Sequence, residues 1–187
     1  MGQSFWKRLN KLQRVRPSLY RQERFEEVED AVRRLIADAS DAEQRNNARA
    51  ILSSHHQFRG NLDGALSVIE AQIGENSNDL QAWLDLTEHY HYAKVDLARA
   101  ADAVEKTLSL AIQQATLVRQ VLGVRMRIAL ATGQFDKANE TLLRLIEYRP
   151  PLHSLDVAYE RDFLENVPAG AIDRTLIGRY LELLPAA

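Results

Sequence analysis

The chain has 187 residues, a formal net charge of −2, 45% hydrophobic residues, 27% charged residues and no cysteine. This composition is ordinary for a folded protein that buries a core, and the lack of cysteine excludes disulfides, thiol nucleophiles and thiolate metal sites. No run of ~20 apolar residues could cross a membrane as a helix, and the basic N-terminus lacks the apolar stretch of a secretory signal. We therefore expect a soluble, cytoplasmic protein.

Helical periodicity extends through almost the whole chain, and no segment alternates as a strand does. Pro17 is expected to start the second helix, Gly60 and Gly133 to turn between paired helices, and Asp79 to cap the fifth helix. The pattern predicts helices at 4–16, 18–38, 41–59, 62–74, 79–93, 96–113, 115–132, 135–148, 152–165 and 170–184.

The first predicted helix is amphipathic and basic. Residues 1–24 contain seven basic residues and one acidic residue, although the whole chain is slightly acidic. Phe5, Leu9 and Leu12 share one side of this helix. The candidate basic patch on the rest of the segment comprises Lys7, Arg8, Lys11, Arg14 and Arg16. Three interpretations stay open: the helix packs on its neighbour with a solvated basic face, it docks on a partner protein, or it contacts a membrane surface or nucleic acid.

An alanine recurs in similar surroundings along the chain. Ala31, Ala65, Ala100 and Ala138 are 34, 35 and 38 positions apart. A fixed period of this length indicates stacked helical hairpins, in which a small residue lets two helices approach closely. The longer last interval contains four additional residues, 115–118, which we interpret as one added helical turn. Ala31 is assigned to a capping helix, since Pro17 would break the helix that should precede it.

Three segments, 46–79, 80–114 and 119–152, resemble the tetratricopeptide repeat family. The matching residues are Leu52, Ser53, Gly60, Ala65 and Ile69 in the first; Trp83, Leu86, Tyr90, Ala100, Val104 and Leu108 in the second; and Gly133, Ala138, Leu142, Leu145, Ile146 and Pro150 in the third. The departures are Arg49 where the family favours Trp, His56 where it favours Tyr, and Thr87 and Met126 where it favours Gly.

The resemblance implies an all-α fold, a right-handed superhelical array of antiparallel helical hairpins. In this interpretation, residues 1–45 form the basic N-terminal helix and a capping helix, residues 46–152 the three repeats, and residues 153–187 a C-terminal capping pair.

The family's ligands lie on the concave face lined by the first helix of each hairpin. Carried over position by position, the candidate groove comprises Asn47, Ser54, Gln57, Phe58, Gln81, Glu88, His91, Tyr92, Gln120 and Arg127, with Leu130 beside them. The positions that form a basic clamp in the chaperone-binding subclass hold Ala50, Ser54, Leu84 and Glu88, so chaperone-tail binding is not expected. An alternative is that the chain's own terminal helix fills the groove.

No catalytic motif is present in the sequence. His89 and His91 are two residues apart and so cannot share a helix face, which argues against a metal site. No phosphate-binding glycine loop or nucleophile motif occurs, so we expect no enzyme activity, cofactor or metal. The sequence favours an adaptor or chaperone that binds a protein or peptide in the groove. The alternatives are a subunit of a larger or membrane-associated assembly docked through the basic helix, and a self-associating array.

Overall fold

The computed structural model describes residues 4–148 and 154–185, and these ranges contain helices and no strand. The predicted all-α class is therefore confirmed. The chain divides into two compact units, residues 1–86 and residues 87–187. The division falls within a helix, α5, and each unit is described separately below.

The first unit is built from four complete helices and the start of a fifth. They are α1 (Phe5–Arg21), α2 (Phe25–Ala37), α3 (Ala42–Phe58), α4 (Leu62–Glu75) and α5, which begins at Leu80. Each of the first three packs on the next along the chain, and α1 also touches α3.

The predicted break at Pro17 is wrong, because α1 continues through this proline. Pro17 lacks the amide that would bond the Gln13 carbonyl, and its ring crowds that carbonyl, but the packing of the apolar face of α1 on α2 and α3 offsets this cost. The chain turns instead at Gln22–Arg24, where Glu23 has a left-handed φ of 56°. The second helix therefore begins at Phe25 rather than at residue 18.

The core of the first unit joins α1, α2 and α3. Its buried residues are Phe5, Leu9 and Leu12 of α1, Val28, Val32 and Leu35 of α2, and Ala48, Ile51 and Leu52 of α3. The apolar side of the basic helix therefore packs inside the protein, as the first of the three interpretations predicts.

Asp79 caps the start of α5, as predicted. Its Oδ1 accepts a hydrogen bond from the amide of Ala82 at 3.1 Å. Its Oδ2 accepts from Asn46 Nδ2 at 2.6 Å and from Gln72 Nε2 at 3.0 Å. One carboxylate therefore ties the beginning of α5 to both α3 and α4.

The second unit continues from α5, which ends at Glu88 and passes into a π-helical turn, His89–Ala93. The remaining helices are α6 (Leu97–Gln113), α7 (Val118–Ala131), α8 (Phe135–Glu147), α9 (Ser154–Glu165) and α10 (Arg174–Leu183). The π-turn packs on α6, α6 on α7, α7 on α8, and α8 on α10. Pro150 and the start of the predicted ninth helix lie outside the described residues.

Two further helix predictions need correction. Residues 115–117 do not add a turn to the next helix but form a loop, in which Ala115 and Leu117 have left-handed φ values of 50° and 56°. The last helix starts at Arg174 rather than at residue 170, because the Asp173 side chain accepts a hydrogen bond from the Thr175 amide at 2.7 Å and caps it there.

The recurring alanines divide into two groups by burial. Ala65, Ala100 and Ala138 are completely buried in α4, α6 and α8. These three helices each pack on another helix of their unit, so a small side chain allows close approach. Ala31 in α2 is only half-buried. The capping assignment of its helix rested on a break at Pro17, which α1 does not show.

Two departures from the repeat pattern have polar partners in place of the expected contacts. Arg49 in α3 pairs with Glu75 of α4 at 2.5 Å. Thr87 and Thr107 are both buried, and their hydroxyls are 3.0 Å apart in a hydrogen bond. Each of these buried hydroxyls therefore has a hydrogen-bond partner. A glycine at position 87 has no side chain and could not form this bond.

Candidate functional site

The predicted groove residues lie at the surface of both units. Asn47, Ser54, Gln57, Phe58 and Gln81 are exposed in the first unit, and in the second Tyr92 and Gln120 are exposed while Glu88, His91 and Arg127 are half-buried. Each unit therefore presents its own set of accessible side chains.

Phe58 is the most exposed aromatic side chain among the described residues, with 62% of its surface accessible. It stands at the last position of α3, where its ring stacks on Tyr20 of α1, with centroids 4.4 Å apart and planes 17° apart. Phe25 of α2 approaches the same ring at 6.2 Å. Three helices therefore hold Phe58 in place while one face of the ring stays open to solvent. We call Tyr20, Phe25 and Phe58 the aromatic cluster.

Two guanidinium groups flank the aromatic cluster. Arg59 lies over the Phe25 ring at 5.3 Å and pairs with Glu26 at 2.9 Å. Arg16 lies over the Tyr20 ring at 5.8 Å. Cations over aromatic faces add modest attraction and keep the rings oriented. The cluster is thus an apolar surface bordered by charged side chains, with Arg16 on one side and the Arg59–Glu26 pair on the other.

A buried histidine supports the cluster from below. His55 is fully buried, and its Nδ1 shares a hydrogen bond of 2.9 Å with the Tyr20 hydroxyl. Its Nε2 lies 3.8 Å from Glu29 Oε2 and makes no hydrogen bond to any described residue. Burial lowers the pKa of His55, although the Glu29 carboxylate opposes this shift. The imidazole is therefore neutral at neutral pH and acts as an internal support for Tyr20.

The polar candidates of the first unit are engaged mainly in local hydrogen bonds. The Asn47 side chain donates to the Glu43 carbonyl at 2.9 Å. Gln81 donates to Asp85 at 2.8 Å, and burial raises the pKa of that carboxyl. Ser54 and Gln57 are exposed on α3. In the sequence they flank His55 and His56, which are buried.

In the second unit, the π-helical turn presents His91 beside Tyr92, with ring centroids 4.1 Å apart. Tyr92 is 57% exposed. Burial lowers the pKa of His91, and the positive charge of Arg127 in α7 lowers it further. Two of the predicted residues therefore contact each other here, and a third, Arg127, acts on His91 electrostatically. Gln120, in the first turn of α7, is exposed and joins no such cluster.

His55 and His89, which are 34 positions apart, are both buried. His55 and His89 both have no accessible surface, so their equivalent positions correspond to packing rather than to a surface site. Among the described side chains, those of residues 4–148 and 160–185, no three His, Asp or Glu groups converge as they would to hold a metal ion.

The basic patch lies along α1, but its members differ. Arg8 is half-buried and pairs with Asp38 at 2.6 Å. Arg16 is taken up by the Tyr20 ring. Lys7, Lys11 and Arg14 are exposed. No helix in the described parts of the chain is long and apolar enough to cross a membrane.

The main features that sequence reasoning missed are Tyr20 as the partner of Phe58 and two arginine networks in the second unit. Arg125 is 6% exposed, and it bonds Glu105 at 2.9 Å and Thr141 at 2.6 Å. Arg119 binds both Glu160 and the Tyr180 hydroxyl at 2.5 Å. The available signal was the presence of Arg119 and Arg125 among the apolar residues of α7. Such a position indicates a buried ion pair, but it does not identify the partner residues.

Comparison with family models, with curated proteins and with solved structures finds no match to this chain.

Proposed function

We propose that the protein is a non-enzymatic interaction module that binds a segment of a partner protein, and that Phe58 is its main anchor. The observation that carries this proposal is the exposure of a phenylalanine ring that three helices already hold in one orientation. Large aromatic side chains dominate the energy of many interfaces, and a ring that is already fixed loses little conformational entropy on binding.

The packing beneath the aromatic cluster favours recognition over catalysis. The polar groups next to Phe58 are consumed in internal contacts: the Tyr20 hydroxyl with His55, and Arg59 with Glu26. Such contacts keep the rings in place and leave an apolar face for a partner side chain. The exposed Tyr92 and its neighbour His91 give the second unit a smaller surface of the same type.

The proposal includes tetratricopeptide-like hairpins as the scaffold and the partner-binding role that this resemblance implies. It is supported by the complete burial of Ala65, Ala100 and Ala138 at equivalent positions of successive hairpins. Adaptor and chaperone roles both fit a module of this kind, since each requires only that a partner segment be held.

The test is affinity capture with the full chain, followed by measurement of the dissociation constant for the captured partner. Phe58→Ala should weaken binding by roughly 10- to 100-fold, as expected for an anchor worth about 2 kcal/mol or more. Phe135→Ala is the matched control, because Phe135 is also an exposed phenylalanine, at 45%. Equal binding by the two variants would refute the role of Phe58. Far-ultraviolet circular dichroism checks that both remain folded.

A further inference from the structure

The aromatic cluster is linked to a buried ionisable group through a hydrogen bond. His55 and Phe58 lie three positions apart on α3, which makes them neighbours on the helix. The hydroxyl of Tyr20 is 2.9 Å from His55 Nδ1, and the Tyr20 ring stacks on Phe58 with centroids 4.4 Å apart. The position of the Tyr20 ring beneath the exposed Phe58 therefore depends on what the imidazole can accept.

In the neutral imidazole, the surroundings favour a hydrogen on Nε2. This nitrogen lies 3.8 Å from Glu29 Oε2 and makes no hydrogen bond to any described residue. A hydrogen at Nε2 attracts the carboxylate, whereas a lone pair there would repel it. Nδ1 then carries the lone pair and accepts the hydrogen of the Tyr20 hydroxyl. The neutral form of His55 thus holds Tyr20 in place.

Protonation of His55 adds a second hydrogen at Nδ1, the atom that holds Tyr20, so the hydroxyl can no longer donate there. The charged ring is also drawn towards Glu29, since 3.8 Å is about 1 Å longer than a charge-assisted hydrogen bond. Arg33 holds the Glu29 carboxylate through its Oε1 at 2.7 Å, so we expect the imidazole to move rather than the carboxylate. Both changes weaken the contact between His55 and the Tyr20 hydroxyl.

The charges on the surrounding helices leave this effect in place. Those nearest to the imidazole and to Tyr20 are Arg16 of α1, Glu26 and Glu29 of α2, and His56 and Arg59 of α3. The acids of α4 are the exposed Asp63 and Glu70, and Glu75, which pairs with Arg49. Arg59 and Glu26 pair at 2.9 Å, so their influences on the imidazole oppose each other. Burial dominates and lowers the pKa of His55, so the ring becomes charged only in acid.

We propose that the aromatic cluster is a pH-sensitive anchor, in which protonation of His55 releases the Tyr20 hydroxyl and loosens the stack beneath Phe58. In acid, the Phe58 ring loses the fixed orientation that favours binding, so a partner segment is held less tightly. The change in the rings is a property of the free chain, whereas the effect on a partner rests on the proposed function. By reciprocity, a partner bound at Phe58 makes His55 harder to protonate.

The test on the free chain is nuclear magnetic resonance with isotopically labelled phenylalanine and histidine rings, recorded from about pH 8 to about pH 5. The Phe58 signal, assigned from its loss in Phe58→Leu, should shift with the same midpoint as the His55 ring. His55→Gln should abolish this shift, because glutamine stays uncharged and its side-chain oxygen can still accept from Tyr20. His56→Gln is the matched control, since His56 is also buried, and it should keep the shift.

Tyr20→Phe gives a second comparison that leaves the histidine unchanged. It keeps a ring beneath Phe58 but removes the hydroxyl, so His55 should still titrate while the Phe58 signal responds far less. Should His55→Gln not fold, this variant decides the matter. The proposal is overturned if Phe58 does not follow His55, if its shift persists undiminished in either variant, or if circular dichroism shows that the helices unfold over the same pH range.

The test on binding uses the partner captured by the full chain. Its dissociation constant should rise by about threefold or more from about pH 7.5 to about pH 5.5, and by less than about twofold for His55→Gln. Equal rises for the two chains overturn the proposed regulation. Equal binding by Phe58→Ala and the unmodified chain would instead refute the anchor while leaving the titration of the free chain unaffected, so the two failures give different results.

Discussion

Replacing Asp79 with alanine should destabilise the first unit more than the loss of an ordinary helix cap. Its Oδ1 caps α5 through the Ala82 amide, while Oδ2 accepts hydrogen bonds from Asn46 and Gln72. Gln72 is only 4% exposed, so its amide would lose its charged acceptor in a place that water hardly reaches. The change therefore removes a cap and also leaves a buried donor without its partner.

The magnitude follows from these contacts. Loss of an N-cap costs about 1 kcal/mol, and a buried donor left unsatisfied costs about 1–3 kcal/mol. We expect Asp79→Ala to lower the free energy of unfolding by about 2–4 kcal/mol. Asp41→Ala is the matched control, since Asp41 caps α3 through the Gln44 amide at 2.8 Å but is exposed. This second change should cost about 1 kcal/mol.

The assay is urea unfolding of the two variants and the unmodified chain. Unfolding is followed by circular dichroism at about 222 nm, where helices have a minimum. The midpoint should fall clearly further for Asp79→Ala than for Asp41→Ala, with little change in the slope against urea. The reasoning is refuted if the free energies of unfolding of the two variants differ by less than about 0.5 kcal/mol. The contacts of Asp79 to Asn46 and Gln72 would then contribute nothing to stability.

Three further predictions concern stability. Pro17→Ala should raise the free energy of unfolding by about 1–2 kcal/mol, because it restores an amide donor inside α1 at an exposed position; an unchanged urea midpoint would contradict this. Ala65→Leu should lower the free energy of unfolding by about 1–3 kcal/mol, because a larger side chain overpacks the contact between helices. Ala71→Leu, on the exposed side of α4, should be nearly neutral in thermal melts, and equal losses in the two variants would contradict close helix approach at Ala65. The lowered pKa of His55 means that the unfolded chain binds its proton first as the pH falls below about 6.5, so the free energy of unfolding should decrease from there towards pH 5. Urea titrations of His55→Gln should show a smaller decrease, and an identical pH dependence would contradict burial of a neutral imidazole.

The helices and their apolar faces could be predicted from the sequence because both depend on local patterns. The burial of Phe5, Leu9 and Leu12 follows from helical spacing, and the Asp79 cap follows from a polar turn before an apolar run. Pro17 misled the prediction because a single missing hydrogen bond can be offset by packing that a local rule does not include.

The site was less predictable because it depends on contacts between distant residues. Phe58 and Tyr20 are 38 positions apart, and nothing in the spacing of either indicates that their rings stack. Residues 115–117 were also misassigned, since helical phase alone cannot distinguish an added turn from a loop with left-handed residues. Exposure at most of the predicted groove positions, by contrast, follows from their lying outside the apolar stripe of each helix.

The most direct test of the proposed function is site-specific photo-crosslinking from position 58. A photoreactive phenylalanine analogue placed there should form a covalent adduct with the captured partner when the chain is irradiated. The same analogue at position 135, another exposed phenylalanine, should give little adduct. If position 58 gives no adduct with a partner that the chain demonstrably binds, or if both positions react equally, Phe58 is not the anchor of the interface.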